Sequence, residues 1–134
     1  MDYQKLIKLL EEKLTKNSFS DFTIENIDHN YIFMIPESDF DIGILISESG
    51  SIFFECQLAS EVQKYKRIAI LEMLNDLNFK YSINLVLDEN DDIYLKYVCI
   101  IGGNETTACK QIFTMLKFFI TMIKNCIDDI MCFI

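Results

Sequence analysis

The sequence contains no tryptophan, one proline, one histidine and four glycines. With glycine and proline this sparse, and with no repeat or low-complexity segment, collagen-like, solenoid and linker-rich arrangements are excluded. The single histidine, His29, leaves no second imidazole for a zinc site. It sits in the polar run Asp28-His29-Asn30, so a solvated turn residue is expected rather than half of a Cys–His nucleophile pair. The five cysteines, Cys56, Cys99, Cys109, Cys126 and Cys132, are odd in number and show no C-x-x-C spacing. They read as small hydrophobes in a reducing compartment, and no metal or cofactor is expected.

Positive charge is missing from a long stretch. Between Lys16 and Lys64 there is no Lys or Arg, while Asp21, Glu25, Asp28, Glu37, Asp39, Asp41, Glu48, Glu55 and Glu61 all fall there. The net charge of −9 repels a nucleic-acid duplex and an anionic membrane surface. The plain reading of the acidic stretch is solvated loops and strand edges. The functional alternative is an acidic face for a basic partner.

A membrane-length run of uncharged apolar residues is also absent. The chain closes with IFTMLKFFITMIKNCIDDIMCFI, in which Lys117, Lys124, Asp128 and Asp129 would all enter lipid. Met1–Leu14 is charged throughout and does not resemble a signal peptide, so a cytoplasmic setting is expected. Two ligand motifs fail on spacing. Asp88, Asn90 and Asp92 alternate like the start of a calcium loop, but Ile93 and Cys99 stand where Gly and Glu are needed. Gly102-Gly103-Asn104 precedes a helix yet lacks the Lys of a phosphate loop.

What is present describes one α+β domain over residues 1–134. Leu6, Leu9, Leu10 and Leu14 have helical spacing from Asp2 to about Thr15, and Asn17-Ser18 ends the pattern. The period then changes to two. Thr23–Ile27 is a weak strand, followed by Tyr31/Phe33/Ile35, Ile42/Ile44/Ile46 and Ile52/Phe54/Cys56, which together make a β-meander with Pro36 between runs. Ser60-x-x-Gln63 has capping-box spacing and predicts a helix to about Leu77, with Val62, Tyr65, Ile68, Ala69, Leu71 and Met73 on its apolar face. A hairpin follows from Ile83 to Cys99, turning at Asn90-Asp91, and a last helix starts near Asn104. The expected order is α-β-β-β(-β)-α-β-β-α, an antiparallel sheet flanked by helices.

The last helix has an apolar arc of roughly 220°, whereas packing on one sheet needs somewhat more than ~100°. Ile112, Leu116, Phe119, Ile123, Ile127 and Ile130 form its centre and should face the sheet. Met115, Phe118 and Met122 lie on one edge, and Phe113, Ile120 and Met131 on the other. Phe113, Met115, Phe118, Ile120 and Met122 are therefore candidate partner-binding residues, unless neighbouring helices cover them.

The segment LEMLNDLNFKYSINLVLDENDDIYLKY, from Leu71 to Tyr97, resembles the YbjN-like family, which shares its fold with type III secretion chaperones. Leu74, Asn75, Leu77 and Asn78 match a helix-end motif, and Leu87-Asp88-Glu89 with Ile93–Tyr97 match the hairpin. With weaker support the resemblance extends over about residues 20–130. Asp91-Asp92 replace the Gly often found in that hairpin turn, and the final helix is more hydrophobic. The resemblance implies a bacterial, frequently dimeric, protein-binding domain without catalysis. It carries over no catalytic residue. Asn75 or Asn78 is expected to close its helix in a left-handed conformation.

Two functions from different classes are compatible with the sequence. One is a chaperone-like or regulatory protein-binding module, acting as a homodimer or on a protein client. The other is a small-ligand sensor or cryptic enzyme with a pocket between sheet and helices.

Overall fold

A computed structural model describes all 134 residues. The elements are α1 (Tyr3–Lys16), β1 (Thr23–Ile27), β2 (Asn30–Glu37), β3 (Phe40–Ser47), β4 (Ser51–Ala59), a 3₁₀ turn (Lys64–Lys66), α2 (Arg67–Tyr81), β5 (Leu85–Leu87), β6 (Ile93–Ile100) and α3 (Glu105–Phe133). The strands form one antiparallel sheet in the order β1-β2-β3-β4-β6-β5. The α+β class and element order are those expected, with Thr23–Ile27 making the fourth strand of the meander.

Tight turns fix the register. Asp28 and His29 have φ of 46° and 64°, and they join the facing residues Ile27 and Asn30. Two positive φ values in a two-residue loop twist the backbone to suit a right-handed hairpin, and Asp and His tolerate that region better than most residues. At the β3–β4 turn Gly50 has a φ of 92°, and its carbonyl accepts from the Ile101 N–H at 3.0 Å. Pro36 lies inside β2 rather than between strands. It stands beyond Met34, the last β2 residue that β1 pairs, so a missing donor there breaks no ladder bond to β1.

Alternation puts Tyr31, Phe33, Ile35, Ile42, Ile44, Ile46, Ile52, Phe54, Cys56 and Leu58 on one buried face. The helices cover that face. α1 presents Leu6, Ile7, Leu10 and Leu14, and α3 presents Ile112, Leu116, Phe119, Ile123, Cys126 and Ile130. α3 contacts α1, α2 and β4, and the Phe119 and Phe54 rings meet at 5.6 Å. Ile127, expected with the central stripe, is only partly buried. Asn104 caps α3 by accepting from the Thr107 N–H at 2.9 Å.

The expected capping box at Ser60 does not form. Helical backbone starts at Lys64 and α2 proper at Arg67. The Glu61 N–H donates instead to the Asp92 carboxylate at 2.9 Å, and the Val62 N–H to the Asp91 carbonyl at 2.9 Å. The segment is thus tied to the β5–β6 turn. The apolar face of α2 also differs from expectation. Ile70, Leu74 and Leu77 are buried, while Tyr65, Ile68 and Leu71 point outward. α2 continues to Tyr81 and ends in a left-handed Ser82, with φ 53° and ψ 48°.

Asn78 therefore does not close the helix through its own backbone. Its Oδ1 accepts from the Leu85 N–H at 2.6 Å, and its Nδ2 donates to the Leu85 carbonyl at 3.1 Å. The side-chain amide takes the place of a neighbouring strand and fastens β5 to the helix.

Candidate functional site

The candidate residues of α3 separate. Phe113 is buried, with its ring edge-on to Phe19 at 6.1 Å and the Lys13 and Lys117 ammonium groups 5.2 and 5.4 Å from its centroid. Met115, Ile120 and Met122 are partly buried against the core. Phe118 alone of the five is an exposed large hydrophobe, 57% accessible. Neighbouring elements thus cover most of the wide arc.

A further uncovered apolar surface lies on the reverse of the sheet. Register aligns Ile32, Leu45, Phe53 and Val98 in one row across β2, β3, β4 and β6. Beside it runs Met34, Gly43, Glu55 and Lys96. No helix covers these positions. Phe53 is 42% accessible, and Met34 and Val98 are also exposed. In a sheet with one solvated face, these positions ordinarily carry polar residues.

The surface is concave. A depression of about 910 Å³ is lined by Ile32, Met34, Leu45 and Phe53, with Phe40, Asp39, Asp41 and Glu55 among its other residues. Gly43 forms a notch in its floor. A Cβ there would lie 3.4 Å from the Met34 sulfur and 3.6 Å from the Glu55 carbonyl, an ordinary contact distance. The sequence-based alternative placed a pocket between sheet and helices, where a contiguous core of 32 buried residues now fills the interior. A smaller hollow of about 380 Å³ lies at the margin between β6 and α3.

The chemistry-bearing groups elsewhere have structural partners. The Glu48 carboxylate lies 3.1 Å from His29 Nδ1 and accepts from the Tyr31 hydroxyl at 3.4 Å. His29 itself stands in the turn and is exposed. In the β5–β6 turn one Asp88 oxygen accepts from the Asn90 and Asp92 N–H groups, each at 2.9 Å. Arg67 reaches the buried Asp91 carboxylate at 2.8 Å and the Asp88 carbonyl at 3.1 Å. These acids organise a loop. Burial, reinforced by Asp41, pushes the Cys56 thiol up to about 12. Burial also pushes Cys126 up to about 11. Both thiols are held protonated at neutral pH, away from the reactive thiolate form.

Sequence reasoning did not select the sheet face. A signal was available: Ile32, Met34, Leu45, Phe53 and Val98 occupy the outward phase of their strands and are all apolar.

No helix is long and apolar enough to cross a membrane. No protein-family model matches the sequence, and no curated protein matches it either. Among solved structures, the chain is similar to the crystal structure of YbjN from E. coli, provisionally described as a transcription regulator. The two share 11% identity over 90% of each chain, with a TM-score of 0.56. The fold of this chain, three helices on a six-stranded antiparallel sheet, is YbjN-like.

Proposed function

We propose that this protein is a non-catalytic protein-binding module, chaperone-like or regulatory in role, whose docking surface is the open face of its sheet. The observation that carries the reading is the apolar row Ile32–Leu45–Phe53–Val98, left uncovered while the opposite face of the same strands is buried except at Tyr97 and Cys99, which are partly buried. An exposed apolar surface of this kind marks an interaction site. The provisional description of YbjN as a transcription regulator is compatible with a regulatory role. A chain of net charge −9 would exert such a role through a protein rather than by gripping a duplex.

The homodimer fits the helix layer better than the sheet. Tyr65, Ile68, Leu71 and Phe79 are exposed along α2 and the turn before it, Ile68 at 75% and Phe79 at 91%. Lys64, Lys66, Arg67 and Lys80 accompany Glu72 and Asp76 there, so both signs of charge are present. A two-fold contact sets a surface against itself, and mixed charge satisfies that geometry. Such a dimer leaves the sheet free for a client.

Light scattering across a concentration series tests the arrangement. The expected outcome is a dimer that Phe79→Asp converts to monomer and Phe53→Asp leaves intact. A dimer abolished by Phe53→Asp alone would move self-association to the sheet and overturn the assignment.

A further inference from the structure

The depression in the open sheet face is lined by charge of one sign around an apolar floor, with Lys96 standing beside it. Asp39, Asp41 and Glu55 line the depression. None has an ion-pair partner, since the two ion pairs of the molecule are His29–Glu48 and Arg67–Asp91. Lys96 faces Glu55 in register, yet its ammonium lies over the Tyr94 ring, 5.6 Å from the centroid. β1 to β4 contain no Lys or Arg.

These facts restrict the occupant. A wholly apolar partner would strip water from the carboxylates and give nothing back. A second copy of this chain would set the same carboxylates against one another. Strand addition does not use the apolar row, because there β2, β3 and β4 are each paired on both sides, and unpaired ladder positions remain only at strand ends such as Ile35–Glu37 and Gln57–Ala59. A helix laid across the face needs no backbone partner, and the reverse face of the sheet already packs helices this way.

Resting on the docking role above, we propose that the sheet face receives a basic amphipathic helix. Its apolar stripe seats over Ile32, Met34 and Phe53, and its flanking Lys or Arg side chains reach Asp39, Asp41 and Glu55.

The test uses the whole protein and three designed peptides of equal length and helical apolar spacing: Leu/Lys, Leu/Glu and Leu/Ser. Binding is read by fluorescence anisotropy at physiological ionic strength. The Leu/Lys peptide is expected to bind, with the other two weaker by about tenfold or more. Asp39→Asn, Asp41→Asn and Glu55→Gln combined should weaken it about tenfold, while neutralising Glu11, Glu12 and Glu72 on the helices should change it less than about twofold. Gly43→Leu fills the notch without altering charge, and should also weaken binding if thermal melting shows the fold intact. Equal loss in the two neutralised proteins would reduce the effect to the general field of the molecule and sink the proposal. A Leu/Ser peptide that binds as tightly as Leu/Lys, and is lost in Gly43→Leu, would overturn the charge assignment and leave the docking face standing. Leu/Lys binding indifferent to both Gly43→Leu and Phe53→Asp would remove the docking face too.

Discussion

Phe53 and Phe54 are neighbours in β4 and belong to different environments. Phe54 is 1% accessible and lies against Phe119 of α3, whereas Phe53 is 42% accessible on a face that no helix covers. The strand inverts its side chains at each residue, so chemistry is the same and only the side differs. The inner face received helices, and the outer face kept an apolar row without them. A difference in covering, rather than in composition, separates the part of the sheet that stabilises the fold from the part available to a partner.

Substitutions should separate the two faces by size of effect. Phe54→Ala opens a cavity under α3 and should cost about 3–5 kcal/mol in denaturant unfolding. Phe53→Ala should stay within about 1 kcal/mol; a loss matching that of Phe54→Ala would mean that the outer face is part of the core. Asn78→Ala leaves both backbone groups of Leu85 without their side-chain partner and should cost about 1–3 kcal/mol. Faster hydrogen exchange at the Leu85 amide, with β3 unchanged, would locate the loss at the sheet edge. Ser82→Gly relieves a left-handed position and should add about 1 kcal/mol.

The effect confined to the narrowest conditions is an alkaline one. The Cys56 thiol stays protonated to about 12 in the fold but ionises near 9.0 in an unconstrained chain. The folded state then binds more protons than the unfolded state between those values. This contribution is full below pH 9.0 and is lost as pH rises toward about 12. Melting temperatures of Cys56→Val should fall less steeply than those of the parent over that window. Parallel slopes would show that the inner face does not hold this thiol away from water.

Much of the fold was legible because period two and helical spacing are strong where one face is buried. Tyr31 to Cys56 and Leu6 to Leu14 show this directly. α2 was misread because apolar residues surround it: Ile68 and Phe79 look as core-like as Ile70 and Leu77, and periodicity cannot choose among them. Ser60-x-x-Gln63 matched a local cap, but the N–H groups of Glu61 and Val62 bind a turn some thirty residues away in sequence. Local spacing holds no trace of that contact. Neither Asn75 nor Asn78 closes the helix, a place taken by Ser82, and the bonds Asn78 makes are to Leu85, beyond the helix it was expected to cap. The candidate surface was placed on α3 because a wide arc is conspicuous in a linear sequence. The row Ile32–Leu45–Phe53–Val98 exists only once four strands are aligned.

The strand order also sets a schedule. β6 lies between β4 and β5, and α3, which follows it in the chain, supplies the cover over Phe54. During synthesis the meander can pair through short, local connections long before its cover is made. For that interval both faces of β4 are uncovered, and Phe53 and Phe54 are equally available to other molecules. α1, made before the meander, can cover only part of the inner face. Emergence of α3 completes that cover and sets Phe54 apart from Phe53.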